Sequence, residues 1–222
     1  MSRFIDEHLG KLAPYVPGEQ PQGRTFVKLN TNESPYPPAP GVAAALNRER
    51  IEGMRRYADP NCTALRQAAA DYHGLAPDQV LAVNGSDEAL YFAFLAYAGS
   101  GRTVYFPDVT YGFYRVYARL LGAEGIPVPL NEDYEIHWKD YFDRDGMIVF
   151  ANPNAPTGHY LPHSDIKRIL MANPDQVVLV DEAYIDYGGA SVIPLIKQFD
   201  NLLVVQTFSK SRALAGLRLG FA

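Results

Sequence analysis

A series of short apolar segments, each followed by a segment with helical spacing, constrains the fold of this chain more than any other feature. The apolar segments hold few polar residues, so they predict strands that are buried on both faces. We expect strands at residues 79–83, 103–106, 126–130, 147–151, 177–180 and 202–205. Helices are expected at 41–54, from 61 or 63 to 72, and at 89–98, 111–121 and 165–171. This alternation predicts an α/β fold, in which a mostly parallel sheet lies between two layers of helices as a three-layer α/β/α domain.

Residues 1–40 predict an arm rather than a domain. Prolines and glycines interrupt helical spacing between residues 14 and 23, and residues 34–40 read SPYPPAP, which is too rich in proline for regular structure. Only residues 25–29 have the pattern of a short strand. We therefore divide the chain into an N-terminal arm at 1–40 and one large α/β domain at 41–222.

Composition excludes several classes of protein. The net charge of −5 offers no basic field for nucleic acid or for an anionic membrane surface. The single cysteine, Cys62, excludes an internal disulfide and a cysteine-rich metal site, and it fits a reducing, cytoplasmic compartment. Apolar runs of about 18 residues are absent, so no transmembrane helix is expected.

Residues that could carry chemistry follow the predicted strands directly. In a doubly wound sheet, ligands bind beyond the carboxyl ends of the strands. After the first strand, Gly85 would let the backbone approach a ligand, Ser86 would supply a hydroxyl, and the next helix would offer N–H groups to an anion. An ordinary helix N-cap explains the same residues, since neither the dinucleotide glycine pattern nor the P-loop pattern is present.

Later strand ends add an aromatic ring, a carboxylate, a phenol and an amine. Tyr111 could lie flat on a planar ligand, although a core tyrosine fits equally well. Asp181 ends a strand, where a carboxylate is costly unless a cation pairs with it, and Tyr184 follows three positions later. An exposed pair of Asp181 and Glu182 is the alternative. Lys210 follows the last strand as a candidate Schiff-base amine, or as a solvated loop lysine.

Arg218 follows Lys210 by eight positions and completes this set. The strand ends then bring together an anion cradle, an aromatic plate, a carboxylate with a nearby phenol, and a lysine with an arginine. A planar, phosphorylated, cationic heteroaromatic aldehyde requires such a set. Pyridoxal 5′-phosphate is the cofactor that matches it.

Six segments of the chain carry a resemblance to a known family. They are LNTNESPY at 29–36, RYADP at 56–60, VNGSDE at 83–88, NPNAPTG at 152–158, VDEAY at 180–184 and TFSKSRALAGLR at 207–218. These segments resemble the class II branch of the fold-type-I, pyridoxal-phosphate-dependent aminotransferases, and within it the histidinol-phosphate aminotransferases. The resemblance implies transamination of an amino acid or amino alcohol, with histidinol phosphate as the amino donor and 2-oxoglutarate as the keto-acid acceptor.

The resemblance also implies roles at the matching positions. Lys210 would bind the cofactor covalently and carry a proton between substrate and cofactor. Asp181 would pair with the ring nitrogen, Tyr184 would hydrogen-bond the ring oxygen, and Tyr111 would stack on the ring. The cofactor phosphate would be surrounded by Gly85, Ser86, Asp87, Ser209 and Arg218.

Three further residues would act at the borders of the site. Tyr57 would reach the phosphate of a neighbouring subunit, which implies a homodimer. Tyr15 and Asn32, both from the arm, would line the substrate site. The resemblance implies no nucleic-acid partner, no membrane partner and no metal.

The chain departs from the family in two places. Ala155 stands where the family carries an asparagine before Pro-Thr-Gly, and Asn154 could replace that asparagine at the ring oxygen. Family members also continue beyond the position that matches Ala222, and that continuation carries the arginine that binds the substrate carboxylate. We therefore expect residues 41–222 to form an incomplete cofactor-binding domain, the arm to carry part of a small domain, and the C-terminal small domain to be absent.

Three other functions fit the same residues. One is a lyase on the same fold, similar to threonine-phosphate decarboxylase, and another is an aromatic amino-acid aminotransferase. The third is a non-catalytic fragment that binds the cofactor. If the chain is complete, we expect poor solubility or obligate association, and little transamination, because a sheet cut after its last strand exposes apolar surface.

Overall fold

A computed structural model describes residues 3–5, 7–10, 12, 19, 23 and 27–222. Its seven strands form one sheet in the order β1-β7-β6-β5-β4-β2-β3. Their bounds are β1 (Ala82–Val83), β2 (Thr103–Pro107), β3 (Glu124–Val128), β4 (Met147–Ala151), β5 (Val178–Asp181), β6 (Leu202–Thr207) and β7 (Gly220–Phe221).

The helices of the described residues alternate with these strands. They are α1 (Glu7–Gly10), α2 (Pro40–Ala45), α3 (Arg48–Gly53), α4 (Thr63–His73), α5 (Ser86–Tyr97), α6 (Phe113–Leu121) and α7 (His163–Ala172). Short 3₁₀ helices lie at Pro77–Gln79, Trp138–Tyr141, Ile185–Tyr187, Ile193–Lys197 and Ala215–Leu217. None of the described helices is long and apolar enough to cross a bilayer.

The sheet is parallel except at β7, which pairs antiparallel with both β6 and β1. The carboxyl ends of β2, β4, β5 and β6 therefore share one edge. β7 returns from that edge, and Gly220 lies opposite Thr207 in its register with β6. Residues 208–219 thus form a loop that is closed at its base by two neighbouring strands.

Both faces of the sheet are covered. Along β4, Ile148 and Phe150 pack in a cluster with the buried face of α7, while Met147 and Val149 pack in a second cluster with α5 and α6. Side chains alternate between these faces because a strand has a period of two. The three-layer α/β/α fold predicted from the apolar strands is confirmed.

Several elements differ from the sequence prediction. Residues 27–29, within the strand pattern at 25–29, lie in no strand, and β7 was not predicted. The strand expected at 79–83 shrinks to two residues. Gln79 belongs to the 3₁₀ helix Pro77–Gln79, and the Val80 carbonyl accepts a hydrogen bond from Arg66 rather than from a neighbouring strand. The helix expected at 41–54 is divided into α2 and α3. Asn47 lies at the break, where its side chain accepts a hydrogen bond from the Arg50 backbone and caps α3.

Candidate active site

A cavity of about 120 Å³ lies at the shared carboxyl edge of β4, β5 and β6. Four of its lining residues were not proposed from sequence, namely Ala151, Ala155, Ala183 and Thr207. The other eight were proposed, and they are Ser86, Asp87, Tyr111, Asp181, Tyr184, Ser209, Lys210 and Arg218. The parallel strands therefore bring most of the predicted set to one place. We call this space the main cavity.

Lys210 enters the main cavity from the loop that joins β6 to β7. Its Nζ donates a hydrogen bond of 3.0 Å to the carbonyl of Thr31, a residue of the arm. The same atom lies 5.7 Å from the centre of the Tyr184 ring. The arm thus reaches the reactive end of the lysine, as expected of a segment that is ordered on the large domain.

Asp181 lies at the end of β5 and is only 4% exposed. Its Oδ2 accepts a hydrogen bond of 2.9 Å from the Tyr114 hydroxyl, and its Oδ1 accepts one of 3.1 Å from the backbone N–H of Ala183. Burial raises the pKa of the Asp181 carboxyl to about 6, and the nearby Asp87 and Glu182 carboxylates add to the rise, while the two hydrogen bonds oppose it. Within the described part of the chain, no cation forms an ion pair with this carboxylate.

Asp87 organises the opposite side of the main cavity. Its Oδ1 accepts a hydrogen bond of 2.8 Å from the Tyr111 hydroxyl, and its Oδ2 lies 3.7 Å from Nη2 of Arg218. Burial, with the neighbouring carboxylate, raises the pKa of the Tyr111 phenol, so the phenol stays protonated as a donor. The ring of Tyr111 is thereby held at the wall of the cavity.

Gly85, Ser86, Ser209 and Arg218 surround a space suited to an anion. Arg218 Nη1 donates to Ser209 Oγ at 3.4 Å, and Ser86 begins α5, whose first N–H groups have no helical acceptor. Gly85 does not line the cavity itself, but a Cβ at this position would lie 2.5 Å from Arg218 Nη2. Its φ of +79° also favours glycine. The glycine therefore lets the guanidinium lie against the backbone.

Tyr184 connects the main cavity to a larger neighbouring one. Asn32 of the arm donates a hydrogen bond of 3.0 Å from Nδ2 to the Tyr184 hydroxyl oxygen. Because that oxygen acts as the acceptor, its own hydrogen remains available for donation. Both residues line the neighbouring cavity of about 530 Å³, which Ala155 borders as well.

The prediction that Asn154 replaces the expected asparagine is not supported by its contacts. Its Nδ2 donates to the Val109 carbonyl at 2.9 Å and to Thr157 Oγ1 at 3.2 Å, and its Oδ1 accepts from Thr110 Oγ1 at 2.8 Å. Asn154 is 2% exposed and does not line the main cavity. Both ends of the amide are therefore used in joining this turn to the loop after β2, and Ala155 lines the main cavity instead.

Two residues predicted at the borders of the site remain untested by the main cavity. Tyr57 is fully exposed and lines neither cavity, as a residue that acts on another subunit would be. Tyr15 lies outside the described residues.

Sequence reasoning missed the functions of Glu182 and Tyr114. Glu182 is 1% exposed and accepts hydrogen bonds of 2.7 Å from Ser191 Oγ, from the Val192 backbone and from Gln206 Nε2. The alternative of an exposed Asp181–Glu182 pair is therefore wrong. Tyr114 is fully buried against Asp181. Its position on α6, three residues after Tyr111 at the start of the same segment, was the available signal.

Known proteins share this sequence and fold. The model of the family described as aminotransferase class I and II matches residues 24–222. The histidinol-phosphate aminotransferase of Clostridium acetobutylicum is 50% identical over 222 residues, covering 100% of this chain and 63% of the relative. That of Marinomonas sp. is 53% identical over 223 residues, with the same two coverages.

A solved structure extends this comparison to the fold. The histidinol-phosphate aminotransferase of Sinorhizobium meliloti in complex with pyridoxal-5′-phosphate superposes with a TM-score of 0.79 at 26% identity, covering 86% of this chain and 54% of that one. The chain thus spans less than two thirds of the length of the curated relatives above.

Proposed function

The chain belongs to the class I and II aminotransferase family, and on this premise we propose that it binds pyridoxal 5′-phosphate in the main cavity and serves transamination. We propose histidinol phosphate as the amino donor, because relatives at 50% and 53% identity carry that enzyme's name. The proposed acceptor is 2-oxoglutarate. Since the chain spans 63% of those relatives, the activity, substrates and partners of the whole protein all belong to this proposal.

One observation carries the proposal. The main cavity holds a buried carboxylate that has no cationic partner among the described residues, and Lys210 and Arg218 line the same cavity. A buried carboxylate is costly without a cation, and a protonated ring nitrogen would supply one. The residues present therefore fit this cofactor.

Pyridoxal phosphate supplies an aldehyde that condenses with amines and a protonated ring that withdraws electrons from the neighbouring carbon. Lys210 would bind the cofactor through Nζ, and when its amine is free it would take the proton from the substrate carbon and give it to the cofactor carbon that carried the aldehyde. Asp181, held ionised by its two hydrogen bonds, keeps the ring nitrogen protonated.

Two tyrosines orient the ring. Tyr184 donates its hydroxyl hydrogen to the ring oxygen, and Asn32 fixes that hydroxyl by donating to its oxygen. Because Ala155 supplies no amide, Tyr184 takes a larger part of this interaction than it would beside an asparagine. Tyr111 offers its ring face, fixed by the hydrogen bond to Asp87.

The phosphate is bound by the hydroxyls of Ser86 and Ser209, by Arg218 and by the first N–H groups of α5. The Asp87 carboxylate would repel a phosphate, so we assign it to the orientation of Arg218 and Tyr111. Gly85 keeps room for the guanidinium.

The proposal includes a homodimer in the cytoplasm. Tyr57, exposed in one chain, contacts the phosphate bound by its partner, and Tyr15 joins Asn32 at the substrate. The Asn32 side chain already borders the neighbouring cavity of about 530 Å³, which is placed to receive the substrate.

Covalent trapping tests the cofactor site. Pyridoxal phosphate added to the purified chain should give the long-wavelength absorbance of an imine, and reduction with borohydride should fix the adduct on the peptide that contains Lys210. Lys210→Ala should abolish both signals. Lys167→Ala is the matched control, because Lys167 is exposed on α7 across the sheet. An adduct that persists in Lys210→Ala would defeat the proposal.

Product analysis separates the proposed function from its alternatives. Histidinol phosphate, threonine phosphate and aromatic amino acids are offered to the protein with 2-oxoglutarate. Formation of glutamate with histidinol phosphate supports the proposal. Carbon dioxide from threonine phosphate, or a preference for aromatic amino acids, would favour one of the other enzymes on this fold. Cofactor binding without any product would favour the non-catalytic alternative.

A further inference from the structure

Tyr114 is a fully buried tyrosine whose hydroxyl lies against the carboxylate of Asp181. Its ring is fixed by aromatic neighbours, with centroid distances of 5.6 Å to Tyr111, 6.5 Å to Phe94 and 6.4 Å to Phe106. The hydroxyl therefore has one position, and at that position it donates to Oδ2 at 2.9 Å. Tyr114 does not line the main cavity, so it acts on a ligand only through Asp181.

The two hydrogen bonds to Asp181 come from different directions. The Ala183 N–H reaches Oδ1 from the following turn, while the Tyr114 hydroxyl reaches Oδ2 from α6. One donor on each oxygen fixes the plane of the carboxylate. Among the described residues, Tyr114 is the side chain that donates to this group.

The remaining charges around Asp181 do not replace that donor. Asp87 on α5 and Glu182 next in the chain both oppose its ionisation. Lys210 and Arg218, from the loop after β6, line the same cavity, but Lys210 donates to the arm and Arg218 pairs with Asp87. The Tyr114 hydroxyl therefore lowers the pKa of the Asp181 carboxyl, against the rise that burial and the neighbouring carboxylates cause.

We propose that Tyr114 is a positioning residue whose hydroxyl keeps the Asp181 carboxylate ionised and aimed for pairing with the protonated ring nitrogen of the cofactor. This inference rests on the proposed function. Without the hydroxyl, Oδ2 loses its donor while it stays buried, so the carboxyl holds its proton up to a higher pH. At any pH below that point, the carboxyl must lose its proton before it can pair with the ring nitrogen. Cofactor binding is therefore weakened over a wider pH range than in the wild-type chain.

The test is the dissociation constant of pyridoxal phosphate for the wild-type chain and for Tyr114→Phe, measured by absorbance titration across pH. The ratio of the two constants cancels the titration of the cofactor itself. For a rise of about one pKa unit in Asp181, the ratio grows from about one near pH 8 to about tenfold near pH 5. A structural defect alone would weaken binding equally at every pH.

Tyr141→Phe is the matched control. Tyr141 is also a fully buried tyrosine, and its hydroxyl has no hydrogen-bond partner among the described residues. It packs in the cluster on the other face of the sheet. The ratio of the dissociation constants of Tyr141→Phe and the wild-type chain should stay near one at every pH, because removing this hydroxyl leaves the carboxylate of Asp181 untouched.

The outcomes separate the inference from the proposed function. A ratio that does not change with pH overturns the role of Tyr114, while a wild-type chain that forms no adduct at Lys210 overturns the proposed function beneath it. If Tyr114→Phe does not fold at neutral pH, the double variant with Asp181→Asn decides. Folding of the double variant supports the inference, because the defect then depends on the carboxylate, and its failure to fold overturns it.

Discussion

Replacement of Asp181 by asparagine should stabilise the cofactor-free chain at neutral pH. An asparagine can retain both pairings, although the second one reverses its direction. Its Oδ1 can accept from the Ala183 N–H, and its Nδ2 can donate to the Tyr114 hydroxyl oxygen, which is the donor in the wild-type chain. The substitution removes a buried charge that lacks a cationic partner in the described structure. The change in stability therefore comes from removing the ionisable carboxyl, and the packing changes little.

The magnitude follows from the pKa of the Asp181 carboxyl. Burial raises this pKa from 3.8 to about 6, so the folded chain binds the proton more tightly than the unfolded chain. Ionising the group in the folded state then lowers the free energy of unfolding by about 3 kcal/mol. The loss begins as the pH rises past about 4 and is complete above about pH 6. Asparagine does not titrate, so the variant escapes this loss.

Urea unfolding followed by circular dichroism, at several pH values from about 4 to 8, measures the effect. The two chains should have similar stability near pH 4, and the variant should gain about 3 kcal/mol by pH 7. Asp133→Asn, at an exposed carboxylate, is the control and should leave the pH dependence unchanged. Equal stabilities at pH 7, or a wild-type chain that is the more stable there, would refute the argument.

Three further substitutions test the packing of the site and of the sheet, and a fourth is a control. Gly85→Ala should displace Arg218, whose Nη2 would lie 2.5 Å from the new Cβ, and weaken binding of pyridoxal phosphate but not of pyridoxal in absorbance titrations; equal losses for both ligands would contradict the assignment of this space to the phosphate. Glu182→Ala leaves three donors without this acceptor, two of them buried (Val192 and Gln206), and should lower the free energy of unfolding in urea by about 3 kcal/mol, and a loss below about 0.5 kcal/mol would contradict this. Gly146→Ala places a Cβ 2.2 Å from a backbone carbonyl of β2 and should cost about 3 kcal/mol or more by the same assay, whereas Gly41→Ala, with open space around it, should be nearly neutral.

The longer strands of the sheet were predictable, because the burial of each one shows in its own run of apolar residues. The apolar runs at β2, β4, β5 and β6 predict strands without knowledge of their partners. The two-residue strand β7 was not predicted, and β1 keeps only the end of the strand predicted at 79–83, because Ala82 is a strand residue only through its pairing with Phe221. Their existence depends on contacts that are distant in sequence.

The same distinction applies to the candidate site. Lys210 and Asp181 were placed together correctly, since the carboxyl ends of parallel strands must share an edge. Side-chain direction was not predictable where a turn or a helix carries the residue. Asn154 directs its amide toward Val109 and Thr110 in the loop after β2. Tyr114 meets Asp181 only because of how α6 is rotated on the sheet.

The closed base of the loop at 208–219 determines how this side of the site opens when the protein fluctuates. Thr207 lies opposite Gly220, and the Phe208 N–H donates to the Leu219 carbonyl at 2.9 Å, so these pairs must open before either end of the loop can move. Lys210 and Arg218 both lie above that closure. They therefore belong to one cooperative opening unit, whose amide hydrogens would exchange together. If Lys210 anchors the cofactor and Arg218 binds its phosphate, as proposed, a fluctuation that opens this base releases both contacts together.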